Sequence, residues 1–248
     1  MQKNTVLMLL FSSLFLVSCA GDTALRKEQA RISMIMGEGY LAQGKIRPAL
    51  REFLEAESKF PDDYRLQNDL GLVFLASEKY DRAIDHFKRA LELKPDFSDA
   101  YNNMGIAYLR LEQWDKAIEC FKHALANILY PTPHIALNNL GWVYYKKKDY
   151  TKSIKYYKES LQSFPGFARA HRGLGLTYMA MGKYEDAIDS FRKAINYAPR
   201  FARAYFELSQ AYLKLNRILK AKEMLNKVIE LAPDTPLARQ AREVMENI

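Results

Sequence analysis

The sequence predicts an all-α protein made of six similar helix pairs followed by one more helix. Glycine or serine returns every 34 residues, stretched once to 36, and a small residue and then a large one follow each at fixed distances. Proline closes most of the units. Self-similarity at such a period indicates a repeat architecture in which every unit is one supersecondary structure. The first series is Gly37, Gly71, Gly105, Gly141, Gly175 and Ser209, and the large residues are Phe53, Phe87, Phe121, Tyr157, Phe191 and Leu225.

The first residues, 1–18, predict a targeting signal. Lys3 supplies a positive charge, and residues 6–17 are apolar apart from two serines. This layout is typical of a secretory signal peptide and is too short for a comfortable membrane span. The four residues that end at Cys19, Leu-Val-Ser-Cys, resemble a bacterial lipobox. The alternative is a plain signal peptide in which the cysteine is a coincidence.

The lipobox resemblance implies cleavage before Cys19 and a diacylglycerol on its sulfur, with palmitate among the acyl chains. Several acyl chains anchor a protein stably to a bilayer, whereas a single acyl chain binds only weakly and reversibly. Ala20, and not aspartate, follows the cysteine. The resemblance therefore implies the outer membrane of a Gram-negative envelope, on its periplasmic side. Residues 19–29 are then expected to form a lipidated polar tether.

Each repeating unit is interpreted as two helices of roughly 13 residues, an ordinary helix length. The first helix carries Leu-Gly-x-x-Tyr, for example at 174–178. Glycine inside a helix costs about 1 kcal/mol relative to alanine. We expect it to recur because the two helices approach closely there, with the glycine facing the small residues of the second helix and the large residues filling the wedge. Proline then ends the second helix, which it cannot continue.

This pattern resembles the tetratricopeptide repeat over residues 30–235. The resemblance implies a right-handed solenoid whose concave groove is lined by the first helix of each pair. Residues 236–248 are predicted to form a capping helix, with Leu237, Ala241 and Val244 on its apolar face. A polar-backed cap of this kind closes the open end of a repeat stack. The predicted repeat bounds are 30–63, 64–97, 98–133, 134–167, 168–201 and 202–235.

The sequence gives no reason to expect an enzyme. The four histidines fall at different positions of the repeat, without metal-ligand spacing, and no phosphate-binding glycine loop or nucleophile elbow is present. We therefore predict no catalytic residue, no metal and no cofactor. Cys120 is expected to be a small, inert apolar residue. The net charge of +8 suits solubility, and nucleic acid is not expected as a partner of a secreted, lipid-anchored chain.

The groove is where the sequence places partner binding. In this repeat class, positions 2, 5, 9 and 12 of the first helix face the concave side. Amide side chains there both donate and accept hydrogen bonds, which suits a peptide backbone, and an apolar row ending at Trp142 suits a partner site. Alternatively, position 9 only packs and the asparagines only stabilise helix ends. The predicted partner-binding residues are Asn68, Asn102, Asn103, Ile106, Asn138, Asn139, Trp142, Tyr145, Arg169, Arg172 and Arg203.

One segment departs from the regular spacing and narrows the resemblance. The third repeat is two residues longer and ends Ile-Leu-Tyr-Pro at 128–131. Together with the lipobox and the repeat count, this segment makes the chain similar to the type IV pilus pilotins. These lipoproteins bring the secretin subunit to the outer membrane and help it assemble. The resemblance implies a scaffold protein that binds an extended or amphipathic segment of a secretin subunit.

Two other functions stay open at this stage, a general periplasmic adaptor for cell-envelope enzymes and a regulatory subunit of outer-membrane protein insertion. We expect a monomer, because the stack has a polar cap or tether at each end. The two extra residues predict a local change of curvature at 130–133.

Overall fold

The computed structural model describes residues 23–248, which contain thirteen α-helices and no strand. The predicted fold class is confirmed: six helix pairs follow one another in the chain and a thirteenth helix ends it. The signal peptide and Cys19 lie outside the described residues. The helices are α1 (23–42), α2 (Ile46–Lys59), α3 (Tyr64–Ala76), α4 (Tyr80–Leu93), α5 (Ser98–Arg110), α6 (Trp114–Ala126), α7 (Pro133–Lys146), α8 (Tyr150–Ser163), α9 (Ala168–Ala180), α10 (Tyr184–Tyr197), α11 (Ala202–Lys214), α12 (Ile218–Leu231) and α13 (Pro236–Glu246).

The described chain divides into two compact units, with the boundary between Gln113 and Trp114. Unit 1 contains α1 to α5, and unit 2 contains α6 to α13. The boundary falls inside the third repeat, before the stretched linker. Helix α1 includes residues 23–29, so part of the segment assigned to the tether is helical. No helix in the described part of the chain is long and apolar enough to cross a membrane.

The core of each unit is the repeated wedge that the sequence predicts. The large residues at the repeat position of Phe53 are all buried, and so are the small residues four positions before them. In unit 2, helix α13 packs on α11 and α12 and buries Ala238 and Ala241 against the end of the stack. The side chain of Thr235 caps this helix by accepting a hydrogen bond from the backbone N–H of Ala238, 3.3 Å away.

Four of the recurring glycines, Gly37, Gly71, Gly141 and Gly175, face the aromatic ring of the following helix. This corrects the expectation that they face the small residues of that helix. A Cβ on Gly71 would lie 2.4 Å from Cε1 of Phe87, and one on Gly175 would lie 2.5 Å from Cε1 of Phe191. The small residue also touches the glycine in one repeat, where Ser153 Oγ donates a 2.9 Å hydrogen bond to the carbonyl of Gly141. The glycine is therefore required by the volume of the ring.

The stretched linker keeps the turn of the regular linkers and adds two residues after it. In three regular linkers the backbone N–H of a phenylalanine donates to the carbonyl three residues earlier, as Phe167 does to Phe164 over 3.1 Å. Tyr130 makes the same bond to Asn127 over 3.0 Å, and its side chain is buried. The extra residues are thus Pro131 and Thr132, placed just before α7 begins. The predicted change of curvature at this point stays a prediction.

Candidate functional site

Within each unit, the first helices of successive repeats are in contact: α3 with α5 in unit 1, and α7 with α9 and α9 with α11 in unit 2. A pair of side chains that joins two such helices is called a rung here. In unit 1, Asn103 Nδ2 on α5 donates to Asn68 Oδ1 on α3 over 3.0 Å. Asn68 is buried, and so is Asn102, while Asn103 and Ile106 are half-buried. Asn68 and Asn102 therefore expose little amide surface to a partner. The rung joins position 5 of one repeat to position 6 of the next, 35 residues later.

The same rung recurs in unit 2 as an ion pair. Arg172 on α9 donates from Nε and Nη2 to both carboxylate oxygens of Glu207 on α11, over 2.7 and 2.5 Å. The guanidinium also lies 5.9 Å from the ring centre of Phe201. Burial raises the pKa of Glu207, although the hydrogen bonds and charge of Arg172 act to lower it. The spacing of 35 residues again joins positions 5 and 6. Sequence reasoning missed Glu207 because it considered position 6 only where an asparagine stands next to the asparagine of position 5.

The pattern of rungs fails at one position of unit 2. Asn138 occupies position 5 of α7, and the residue 35 positions later is Gly173, which has no side chain to bond. The amide of Asn138 is left with one long contact, 3.5 Å from its Nδ2 to Oδ1 of Asn139. No described residue donates a hydrogen bond to the amide oxygen of Asn138. Asn138 is half-buried, so this amide keeps unused hydrogen-bonding capacity at the surface of unit 2.

Tyr157 occupies the space that a side chain on Gly173 would need. A Cβ on this glycine would lie 2.2 Å from Cζ and 2.7 Å from the hydroxyl oxygen of Tyr157. Other repeats with an aromatic residue at this position have phenylalanine. Tyrosine is longer by its hydroxyl group, so it requires glycine at 173. Tyr157 is fully buried, with 1% of its surface exposed.

An aromatic shelf adjoins Asn138 on the same helix. Trp142 and Tyr145 are half-buried and stack with ring centres 5.2 Å apart, and Tyr150 lies 6.2 Å from Tyr145. The ammonium group of Lys146 lies 5.9 Å from the centre of the Trp142 ring. Burial raises the pKa of Tyr145, and the charges of Glu207 and Arg172 also act on it. The aromatic shelf is therefore close to the Arg172–Glu207 ion pair, which joins α9 and α11.

The remaining predicted groove residues are cationic. Arg169 on α9 and Arg203 on α11 are exposed and belong to no ion pair in the described structure. Each precedes position 5 by three residues, which places it on the same helical face. The surface of unit 2 thus brings together the Asn138 amide, the aromatic shelf and two arginines that belong to no ion pair in the described structure. Asn139 is half-buried beside them.

A second surface, which sequence reasoning did not single out, lies on α1. Leu25, Ile32, Ile35 and Met36 expose between 46% and 57% of their surface. Their helical spacing could have identified an apolar stripe. Ile128 and Leu129, at the tip of the stretched linker, are more exposed still. The exposed apolar residues on α1 and in the linker therefore serve as control positions in tests of the groove.

The described residues hold no group of three histidine, cysteine or acidic side chains placed to bind a metal ion. His171 is buried, stacks on Tyr197 and bonds through Nε2 to the carbonyl of Pro165 over 2.9 Å. Cys120 is buried and free of disulfide bonding, and burial raises the pKa of its thiol to about 12. A thiol of such high pKa is a poor nucleophile at neutral pH. The surroundings of His171 and Cys120 are therefore those of residues that pack in the protein core.

One groove residue should limit stability. Gln210 occupies position 9 of the last repeat, where Leu72, Ile106, Trp142 and Leu176 stand in the four repeats before the last. Its Nε2 atom is buried and has no hydrogen-bond partner in the described structure. A buried unsatisfied donor costs about 1–3 kcal/mol. We expect Gln210→Leu to raise the free energy of unfolding by about 1–2 kcal/mol, measured by urea titration. A loss of stability would mean that this amide has a partner in solution.

The family of the chain follows from sequence comparison. Models described as tetratricopeptide repeat match residues 96–165, 144–189 and 178–244, and a model described as TPR repeat matches 73–112. Together these matches cover 73–244 without a break, which is more than half of the chain. The chain belongs to the tetratricopeptide repeat family, whose members bind protein partners through such arrays. No curated protein sequence matches the chain.

Solved structures support the fold. A crystal structure of PilW, a widely conserved type IV pilus biogenesis factor, is 24% identical with a TM-score of 0.77, and the match covers 85% of this chain and 97% of PilW. PilF of Pseudomonas aeruginosa is 18% identical with a TM-score of 0.73, covering 88% of this chain and 99% of PilF. YrrB, a repeat protein with an unusual peptide-binding site, is 23% identical with a TM-score of 0.53, covering 77% of this chain and 97% of YrrB.

Proposed function

We propose that this protein is an outer-membrane lipoprotein that acts as a pilotin in type IV pilus biogenesis. It binds a segment of the secretin subunit in the groove of unit 2 while lipids on Cys19 hold it to the membrane. The observation that carries the proposal is the shared fold over nearly the whole length of two proteins, one described as a type IV pilus biogenesis factor and the other PilF. In this proposal the protein acts as a scaffold and has no catalytic activity.

The sequence supports the membrane part of this proposal. The Leu-Val-Ser-Cys segment, which resembles a lipobox, precedes the repeats. A lipid anchor keeps the repeats at the membrane surface while leaving the groove accessible. This arrangement suits a protein that must accompany an outer-membrane subunit to its site of assembly.

The groove of unit 2 supports the binding part. Trp142 and Tyr145 form a half-buried aromatic shelf, and aromatic residues in such positions dominate binding energies at protein interfaces. The adjoining Asn138 amide can bond to a peptide backbone, and the two exposed arginines add charge. A general envelope adaptor is the second candidate, because backbone hydrogen bonds of this kind do not read the sequence of a partner.

Deletion of the gene with complementation tests the proposal. Without the protein, we expect the secretin to remain monomeric, as read from its heat-resistant multimer on gels. Wild-type protein should restore the multimer, whereas the triple variant Trp142→Ala, Asn138→Ala, Asn139→Ala should not, because it removes the shelf and both amides. The Cys19→Ala variant should be lost from the membrane fraction, and the amount of secretin multimer should fall.

A paired variant of the α1 surface provides the control. Ile32→Ser with Met36→Ser changes exposed apolar residues outside the proposed site and should leave multimer formation intact. If the secretin assembles fully in the deletion strain, the pilotin proposal is wrong. If the α1 variant loses assembly while the groove variant keeps it, the binding surface lies on the first repeat.

A further inference from the structure

The exposed side of α1 carries apolar residues at positions that are buried in every later repeat. Ile32 and Met36 expose 50% and 46% of their surface. In the five repeats that follow, the residues at the position of Ile32 are fully buried, and those at the position of Met36 are at most 8% exposed. Helix α1 is thus built for a cover that the later first helices already have. The first set is Leu66, Ala100, Ala136, Ala170 and Ala204, and the second is Leu70, Met104, Leu140, Leu174 and Leu208.

In the later repeats, the preceding helix pair covers these positions. Leu66 and Leu70 of α3 belong to the same core cluster as Phe53 of α2. Each later first helix within a unit likewise packs on the second helix of the repeat before it. No helix among the described residues precedes α1, and cleavage before Cys19 would leave only residues 20–22 between the cysteine and the start of α1. The apolar side of α1 is therefore open to a partner outside the mature chain.

We propose that α1 lies on the membrane surface, with an outer stripe formed by Leu25, Ile32, Ile35 and Met36 buried at the boundary between lipid headgroups and acyl chains. The proposed contact rests on the proposed function through the lipids on Cys19, and it adds a second interaction with the bilayer. The apolar faces of amphipathic helices enter this boundary to a depth of about 5–10 Å. The acyl chains then hold one end of the chain in the membrane, and the outer stripe fixes the direction of the first repeat.

The short distance along the chain between Cys19 and α1 favours the bilayer over other occupants. Four residue steps lead from Cys19 to Thr23, and an extended chain spans at most about 14 Å over them. Leu25 lies two residues further, so the start of the outer stripe stays near the headgroups while the acyl chains are inserted. Each helical residue adds about 1.5 Å, which places Met36 about 17 Å from Leu25 along the helix axis. The whole outer stripe can therefore lie on the surface without displacing the anchor.

The charges at the start of α1 suit anionic lipids. Residues 23–31 carry three positive charges, on Arg26, Lys27 and Arg31, and one negative charge, on Glu28. Arg31 donates to both carboxylate oxygens of Glu28, over 2.9 and 2.6 Å, so this pair brings no net charge to the outer stripe. Basic residues next to a bilayer attract anionic headgroups. The positive excess lies at the end of α1 that is nearest to the proposed anchor, whereas the chain itself holds neither a second copy nor a protein partner beside the stripe.

A nitroxide spin label on α1 tests the contact in the full lipidated protein. Cys120 is buried and Cys19 carries the proposed lipids, so the reagent labels the new thiol of Ile35→Cys. The purified protein is placed in vesicles of phosphatidylethanolamine and phosphatidylglycerol in equal amounts. Collisions of the label with oxygen, which concentrates in lipid, are compared with collisions with a water-soluble nickel chelate. We expect oxygen to reach the Ile35→Cys label and nickel to be excluded from it, and the reverse for a label at Gln240→Cys, which is exposed on α13.

Removal of apolar area from the outer stripe should release the helix. Leu25→Ser with Ile32→Ser, made in the Ile35→Cys protein, replaces two side chains that are about half-exposed, so the fold should be retained. Loss of this buried area lowers the ratio of lipid-bound to free helix by roughly tenfold or more, and the label should become accessible to nickel. Leu219→Ser removes an 84% exposed leucine from unit 2 and is the matched control, in which the label should stay shielded.

Mass spectrometry of the same sample shows whether Cys19 is acylated. A label that nickel reaches in acylated protein, in vesicles and in native membranes alike, overturns the membrane contact. Shielding in native membranes alone overturns it in favour of a protein partner, and dipolar broadening between labels overturns it in favour of a second copy. An unmodified Cys19 overturns the anchor and the membrane contact with it. The pilotin function is decided separately by secretin assembly, because variants of the outer stripe keep the acyl anchor and should still support the multimer.

Discussion

Replacing Gly71 by alanine is expected to lower the free energy of unfolding by about 2–3 kcal/mol, although alanine is the better helix former. The new Cβ would lie 2.4 Å from Cε1 and 2.6 Å from Cδ1 of Phe87. The ring is fully buried and cannot move aside without displacing the core. Overpacking of this kind costs about 1–3 kcal/mol. Urea titration followed by circular dichroism gives the change.

Gly39 provides a matched control in the same unit. It lies on α1, and no atom lies within 4 Å of a Cβ placed on it. Gly39→Ala should therefore add up to about 1 kcal/mol of stability through helix propensity alone. Opposite signs for the two substitutions would establish that the ring, and not the glycine backbone, sets the requirement at position 71. Equal effects would contradict the packing argument.

The repeated features of the fold are predictable from the sequence because they are local and recur in phase. In each repeat, the fixed distances between a glycine or serine, a small residue and a large residue indicate two helices in contact. Because the pattern occurs six times, a repeat of helix pairs is the only periodic structure that fits it. The glycine requirement itself was assigned to the wrong neighbour. The sequence shows that residues like Gly71 and Phe87 recur in most repeats, but only the structure shows that the ring fills the space of the missing Cβ.

Contacts between successive repeats were less predictable. The rung from position 5 to position 6 joins residues 35 positions apart, which is one more than the repeat period. A comparison in strict register finds the asparagines at position 5 and the asparagines beside them at position 6. It does not pair position 5 of one repeat with position 6 of the next, so it misses Glu207. The failure of the rung at Gly173 depends on Tyr157, a residue from the helix between. The missing rung thus depends on how Asn138, Tyr157 and Gly173 pack together, which no single sequence pattern describes.

Asp69 should make the stability of the protein depend on pH between about 4 and 7. Burial raises the pKa of its carboxyl group from 3.8 to about 7, and the charges of Glu38 on α1 and Asp63 at the start of α3 act in the same direction. A hydrogen bond from Asn68 and the charge of Arg65 oppose the shift. The folded state therefore holds a proton that the unfolded state releases at lower pH.

The sign of the effect follows from this difference in proton binding. Below pH 4 both states carry the proton, and the group makes no difference. Between pH 4 and 7 the folded state binds more protons than the unfolded state, so the free energy of unfolding falls as pH rises. Above pH 7 both states are ionised and the loss is complete, at about 2–4 kcal/mol for a shift of this size.

Asp69→Asn removes the titration while keeping the shape of the side chain. We expect its free energy of unfolding to match that of the wild type near pH 4 and to exceed it by about 2–4 kcal/mol at pH 8. Urea titrations of both proteins at intervals from pH 4 to 8 provide the comparison, since the titration of all other groups cancels in the difference. Asp81→Asn, on the exposed face of α4, controls for the loss of one negative charge. A difference between wild type and Asp69→Asn that does not change with pH would show that the buried carboxyl group titrates normally.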